Sequence, residues 1–168
     1  MRACRLLLVA VCLLTTPAVA QERGPTPTSI EQIKAAIDKL SDLDYATRMA
    51  AGRTIRRAPT AQAVTALLQA VNEHADGYVR FRALTLLTGF GDPRIAETME
   101  AAITSPNDRL REVAYAYFEM NPNPALAPKL LAALEKEEGE FVRPALIRAL
   151  AAIPRDLKII DVLMRDAM

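Results

Sequence analysis

Three stretches of this chain lie on one another at a nearly constant spacing, and that repetition limits the fold more than any single motif does. With Val79-Arg80, Leu110-Arg111 and Val142-Arg143 in one column, spaced by 31 and then 32 residues, Ala83, Ala114 and Ala145 or Leu146 coincide, as do Leu87, Phe118 and Leu150. A weaker copy lies upstream, with Ala46-Thr47 in the place of Val79-Arg80, Ala50 in that of Ala83, and Pro59 ahead of Pro93, Pro124 and Pro154. In that copy Thr47 replaces the arginine. Tyr45, Tyr78, Arg109 and Phe141 stand near the arginine column, so an aromatic recurs in three of four units; packing between units is the expected role, ligand stacking the alternative. A period of this length marks supersecondary units that bury their apolar faces only by stacking.

Each unit reads as a helical hairpin. Val79, Ala83, Leu87 and Phe90 follow one stripe of an α-helix. Gly89, Gly91, Asp92 and Pro93 interrupt it, Asp92 offering its side chain to a free N–H of the next helix and Pro93 occupying a position that needs none. Ile95, Met99 and Ile103 form the stripe of the second helix, and Asn123-Pro124 before Leu126, Leu130 and Leu134 repeats the device. Upstream, Ser29-Ile30-Glu31-Gln32 has the form of a capping box ahead of a capping helix over residues 30–41. The expected fold is all-α: an α-solenoid of about four helical hairpins over residues 30–168, begun by that N-terminal capping helix.

The stretch Gly77-Tyr78-Val79-Arg80-Phe81-Arg82-Ala83, continuing through Leu84 to Leu87 and on to Gly91-Asp92-Pro93-Arg94, resembles a HEAT-like repeat of the type also found in phycobilisome lyases. The resemblance covers about residues 44–168 and is weakest in the first unit. It implies that Asp76, Asp108 and Glu140 cap the first helices, and that Arg80, Arg111 and Arg143 form a structural column bridging units through carboxylates or carbonyls. The functional alternative is an arginine ladder gripping an anionic ligand. Acidic residues three or four positions before each arginine favour the structural role.

The first twenty residues combine Arg2 and Arg5, an apolar run from Leu6 to Leu14, and Ala18-Val19-Ala20 before Gln21. That is the layout of a signal peptide over 1–20, the run being shorter than the roughly 20 residues a spanning helix needs. An uncleaved anchor or a lipidated Cys12 are the alternatives, and Val11 before Cys12 fits the latter poorly. Residues 21–29, with Pro25 and Pro27, read as a flexible lead. Export implies a periplasmic or secreted protein, without a membrane span once the signal is removed. Both cysteines, Cys4 and Cys12, lie in the signal, so no disulfide or cysteine metal site is expected after it. Of 21 basic and 20 acidic residues, Arg2 and Arg5 leave with the signal; near-neutral charge offers nucleic acid no attracting field.

Chemistry is hard to assemble from what remains. His74, the only histidine, ends a helix, where a capping role is expected. The iron-binding hydroxylases of this architecture need repeated His-Glu pairs, bilin lyases act on antenna proteins on the other side of the membrane, and the DNA glycosylases use a basic, aromatic-lined groove. Glu135-Lys136-Glu137-Glu138-Gly139-Glu140 lacks calcium-loop spacing and reads as a solvated helix end. Arg53, Arg56 and Arg57 read as an exposed helix end.

Neither catalytic, metal nor cofactor residues are therefore expected. The leading expectation is a non-enzymatic scaffold for an unidentified protein partner, whose second helices, around 62–71, 94–103, 126–134 and 157–164, would present Gln69, Glu97, Glu100, Lys129 and Lys158. A small-ligand-binding or lyase-like accessory subunit is one alternative. Self-assembly is another: Leu157, Ile159, Ile160, Val162, Leu163, Met164 and Met168 cover more than half of the last helix, with Ile159, Val162 and Met168 the candidate homo-oligomer interface.

Overall fold

The computed structural model describes residues 28–154 and 157–166. The expected signal peptide, most of the expected lead and Met168 lie outside the described residues. Among these, the regular structure is entirely helical: α1 (Ile30–Asp38), α2 (Tyr45–Arg57), α3 (Thr60–Glu73), α4 (Gly77–Leu87), α5 (Arg94–Ala102), α6 (Asp108–Met120), α7 (Ala127–Leu134), α8 (Arg143–Ala151) and α9 (Leu157–Asp166), with 3-10 turns over Lys39–Ser41 and Pro124–Leu126. The chain is an all-α solenoid.

Local chemistry sets where the helices begin. Ser29 and Gln32 close a reciprocal capping box at the start of α1, at 2.9 and 3.3 Å. Asp44, Asp76 and Asn107 cap α2, α4 and α6 through side-chain oxygens. Asp92 accepts from the Arg94 N–H at 3.0 Å ahead of α5, and Asn123 from the Ala125 N–H at 3.0 Å ahead of α7.

The cap positions correct the upstream register. Asp44, Asp76 and Asn107 are spaced by 32 and 31 residues, which puts Arg48 under Arg80 and leaves Thr47 under Val79. Burial agrees: Ala51, Ala83, Ala114 and Leu146 form one buried column, and Ile55, Leu87, Phe118 and Leu150 another, whereas Ala50 is exposed. The arginine column is therefore Arg48, Arg80, Arg111 and Arg143, present in all four units. The aromatic column shrinks correspondingly to Tyr78 and Phe141, with Ala46 and Arg109 at the same register position in the other two units. Tyr78 lies under the Arg109 guanidinium at 5.4 Å, a contact between adjacent units, while Phe141 is 87% exposed and packs nothing between units.

Two of the expected caps also move. Asn107, one residue before Asp108, caps α6, and Asp108 instead pairs with Arg111 at 2.8 Å. Glu140 caps nothing: α8 opens from Val142 without a side-chain cap, and Pro144 sits in its first turn.

One continuous core runs the length of the stack, from Ile33 and Leu40 through Leu67, Leu84, Ile95, Met99 and Tyr115 to Leu130, Leu146 and Ile159. The helices α4, α6 and α8 pack consecutively against one another, α6 most closely on α8. The second helices join through side chains at a fixed stagger: Arg94 of α5 donates to Thr65 of α3 at 3.2 Å, and Lys129 of α7 to Glu100 of α5 at 3.2 Å, each pair 29 residues apart. Arg148 and Glu119 tie α8 to α6 at the same separation, at 3.0 Å. A repeat of 31 or 32 residues with partners about one helical turn out of step produces this stagger.

Candidate functional site

The turns that lead into α2, α4, α6 and α8, the first helices of the four units, carry one device four times. A residue two positions before the cap, or in the last turn before the equivalent position Gly139, turns its side chain onto that N–H: Asp42 onto Asp44 at 2.8 Å, His74 onto Asp76 at 3.0 Å, Ser105 onto Asn107 at 3.2 Å and Glu137 onto Gly139 at 3.0 Å. In three of the four turns the arginine six residues on donates back to that residue's carbonyl, Arg48 to Asp42 at 2.6 Å, Arg111 to Ser105 at 2.8 Å and Arg143 to Glu137 at 2.9 Å. The side chains differ chemically yet each presents an acceptor, which is all that the free N–H requires. His74 fulfils its expected place at the end of α3; its Nδ1 accepts, leaving Nε2 to face Asp38 at 3.4 Å.

At the turn before α8 this device becomes an ionic centre. Glu137, with a side chain 2% exposed, takes Nε and Nη2 of Arg111 at 2.8 and 2.9 Å in a bidentate pair, and the Tyr115 hydroxyl donates to it at 3.4 Å. Arg111 holds the Glu137 carboxyl below its ordinary value, aided by the Gly139 N–H, while burial opposes the shift. The pair raises the Arg111 guanidinium, and burial followed by the Glu137 charge pushes the Tyr115 hydroxyl up to about 12. Nothing in the sequence separated Glu137 from the acidic run around it; its distance of two residues from the Gly139 cap position was the available signal.

This centre forms one wall of a groove of ≈ 460 Å³ beside α7, completed by Thr104, Lys129 and Lys136. A shallower groove of ≈ 300 Å³ between α1 and α3 is lined by Lys34, Asp38, Gln69, Glu73 and His74. The candidate partner residues are thus dispersed. Gln69 and Glu97 are exposed, Gln69 bonding Glu73 at 2.9 Å. Glu100 and Lys129 satisfy each other and are part of the stack. Lys158 is exposed on α9. Of the proposed C-terminal interface, Ile159 is 2% exposed and belongs to the core, so it is not offered to a second molecule; Val162 is half-buried, and the exposed apolar residues of α9 are Ile160 and Met164.

A family model for HEAT repeats matches residues 33–119. The chain belongs to the HEAT repeat family. No curated protein matches it. HEAT repeats are commonly protein-interaction scaffolds, and the matched region holds the first two turns of the recurring device together with the third through Arg111. Among the described residues no cluster of three or more His, Asp or Glu side chains could hold a metal ion, and no helix is long and apolar enough to cross a membrane.

Proposed function

We propose that this protein is an exported, non-enzymatic HEAT-repeat scaffold that binds a partner protein along the layer formed by α3, α5 and α7. Its Val-Arg pairs, following alanines and Gly-Asp turn resemble the phycobilisome-lyase type of repeat, a likeness that supports a shared architecture alone. The observation that carries the reading is the linkage of that layer: Arg94 to Thr65 and Lys129 to Glu100 fix the spacing of three successive helices while Gln69 and Glu97 stay exposed between the rungs. A polar, regularly spaced surface whose side chains are already paired with one another loses little side-chain freedom when a partner settles on it.

A photo-crosslinking residue placed at Gln69 or Glu97 is expected to trap one discrete partner from the exported fraction, whereas the same residue at exposed Glu112 of α6 traps none. Equal trapping from all three positions refutes the choice of face. Mass measurement of the exported form should place its first residue at Gln21; an intact N-terminus would refute removal of residues 1–20. Self-association is a second reading, favoured by Ile160 and Met164, 53% and 65% exposed one turn apart on α9. It predicts a concentration-dependent mass that Met164→Asp abolishes.

A further inference from the structure

The arginine column contains one member that lacks what the others have. Arg48, Arg111 and Arg143 each bond a carbonyl six residues back, and Arg111 also grips Glu137. Arg80 occupies the same place, four residues after its cap, yet its buried Nε has no hydrogen-bond partner and its guanidinium has no ion-pair partner among the described residues. Buried guanidinium nitrogens are rarely left unsatisfied, so an orphan in a repeated position asks what would fill it.

The repeat itself supplies the answer. Glu137 lies two residues before the cap position of the unit after Arg111; the corresponding residue in the unit after Arg80 is Ser105. Its hydroxyl satisfies the Asn107 N–H as Glu137 satisfies that of Gly139, but it is too short and carries no charge for the arginine. A second donor stands beside Arg80. A β-carbon built on Gly77 would lie 3.3 Å from Nδ2 of Asn107 and 3.8 Å from Nη2 of Arg80, so both groups border the same glycine. Arg82 also has an orphan Nε, but its counterparts Ala50, Val113 and Ala145 are apolar and give no precedent for a ligand.

We propose that Arg80, with Asn107 beside it, is a receptor for a carboxylate brought from outside the fold, which takes against Arg80 the place that Glu137 takes against Arg111. Its source as an acidic side chain of a partner rests on the scaffold reading; the chemistry of the site does not.

The test follows the arginine Nε–H resonances of the full chain by NMR during separate titrations with acetate and with a capped peptide carrying a single glutamate. The Arg80 resonance is expected to shift and saturate while that of Arg111, already engaged, stays in place. Saturation at similar concentrations of the two identifies a site for free carboxylates, and saturation at much lower peptide concentration identifies a protein side chain; both support the proposal. Ser105→Glu, which supplies the carboxylate internally, should silence the response and raise the melting temperature. Should that variant not fold, Arg80→Gln serves instead: acetate should raise the melting temperature of the native chain and not of this variant. An Arg80 resonance unmoved by either titrant, or acetate stabilising both chains alike, overturns it. Loss of a photo-crosslinked partner with the acetate response intact would sink the scaffold reading and leave this one standing.

Discussion

Replacing Glu137 by Gln tests whether the turn before α8 is an ionic centre or merely a well-packed loop. Removing one member of a buried ion pair costs about 3–5 kcal/mol because its partner is left uncompensated. Here Arg111 keeps the Ser105 carbonyl at 2.8 Å and Asp108 at 2.8 Å, although Asp108 is 64% exposed and contributes little. The neutral amide also preserves shape and can still accept the Gly139 N–H. A loss of about 2–3 kcal/mol is therefore expected, lowering the melting temperature by about 6–12 °C for a domain of this size. Thermal unfolding followed by circular dichroism at pH 7 measures it. The pH dependence gives an independent check. Arg111 keeps the Glu137 carboxyl below its ordinary value of 4.5 in the folded state, so folding releases a proton that the unfolded chain would hold. The resulting stability is complete above pH 4.5 and disappears as the pH falls through the lowered folded value. The gap between native and variant proteins should thus close on acidification. Equal melting temperatures at pH 7, or a gap that persists at a pH where both states are protonated, would refute the assignment.

Three further outcomes follow from the geometry. Arg48→Ala should destabilise the chain more than Ala50→Ser, because Arg48 ties down the Asp42 and Leu43 carbonyls at 2.6 and 2.9 Å whereas Ala50 is exposed; chemical denaturation of the two variants would decide the register. Asp44→Ala, which removes the bond to the Thr47 N–H at 2.7 Å, should lower the denaturation midpoint in the same assay, and no measurable loss would mean that the turn does not depend on its cap. Ile159→Asp should release α9 from α8, exposing it to protease, while Met164→Asp leaves cleavage unchanged; equal sensitivity would contradict the division of α9 into a buried and an exposed side.

The helical stack was readable because burying apolar faces in a repeated hairpin demands the same residue at the same place, so Val79, Leu110 and Val142, or Leu87, Phe118 and Leu150, announce themselves. The register of the first unit is ambiguous by one position in the sequence because its apolar residues are small: Ala50 and Ala51 are equivalent as letters, and the Asp44 cap distinguishes them. The polar device was harder still. Asp42, His74, Ser105 and Glu137 share no residue type, since the cap N–H needs any acceptor of suitable reach, and similarity searches of one chain against itself weigh identity rather than hydrogen-bonding capacity. That chemical freedom is also what makes the column informative. With the backbone task met by every member, the choice of side chain is released for a second task, and the choice decides the fate of the arginine in the preceding unit. Glutamate at 137 closes the Arg111 site from within; serine at 105 leaves the Arg80 Nε without a partner, and that difference between two equivalent turns is what the proposed carboxylate site rests on.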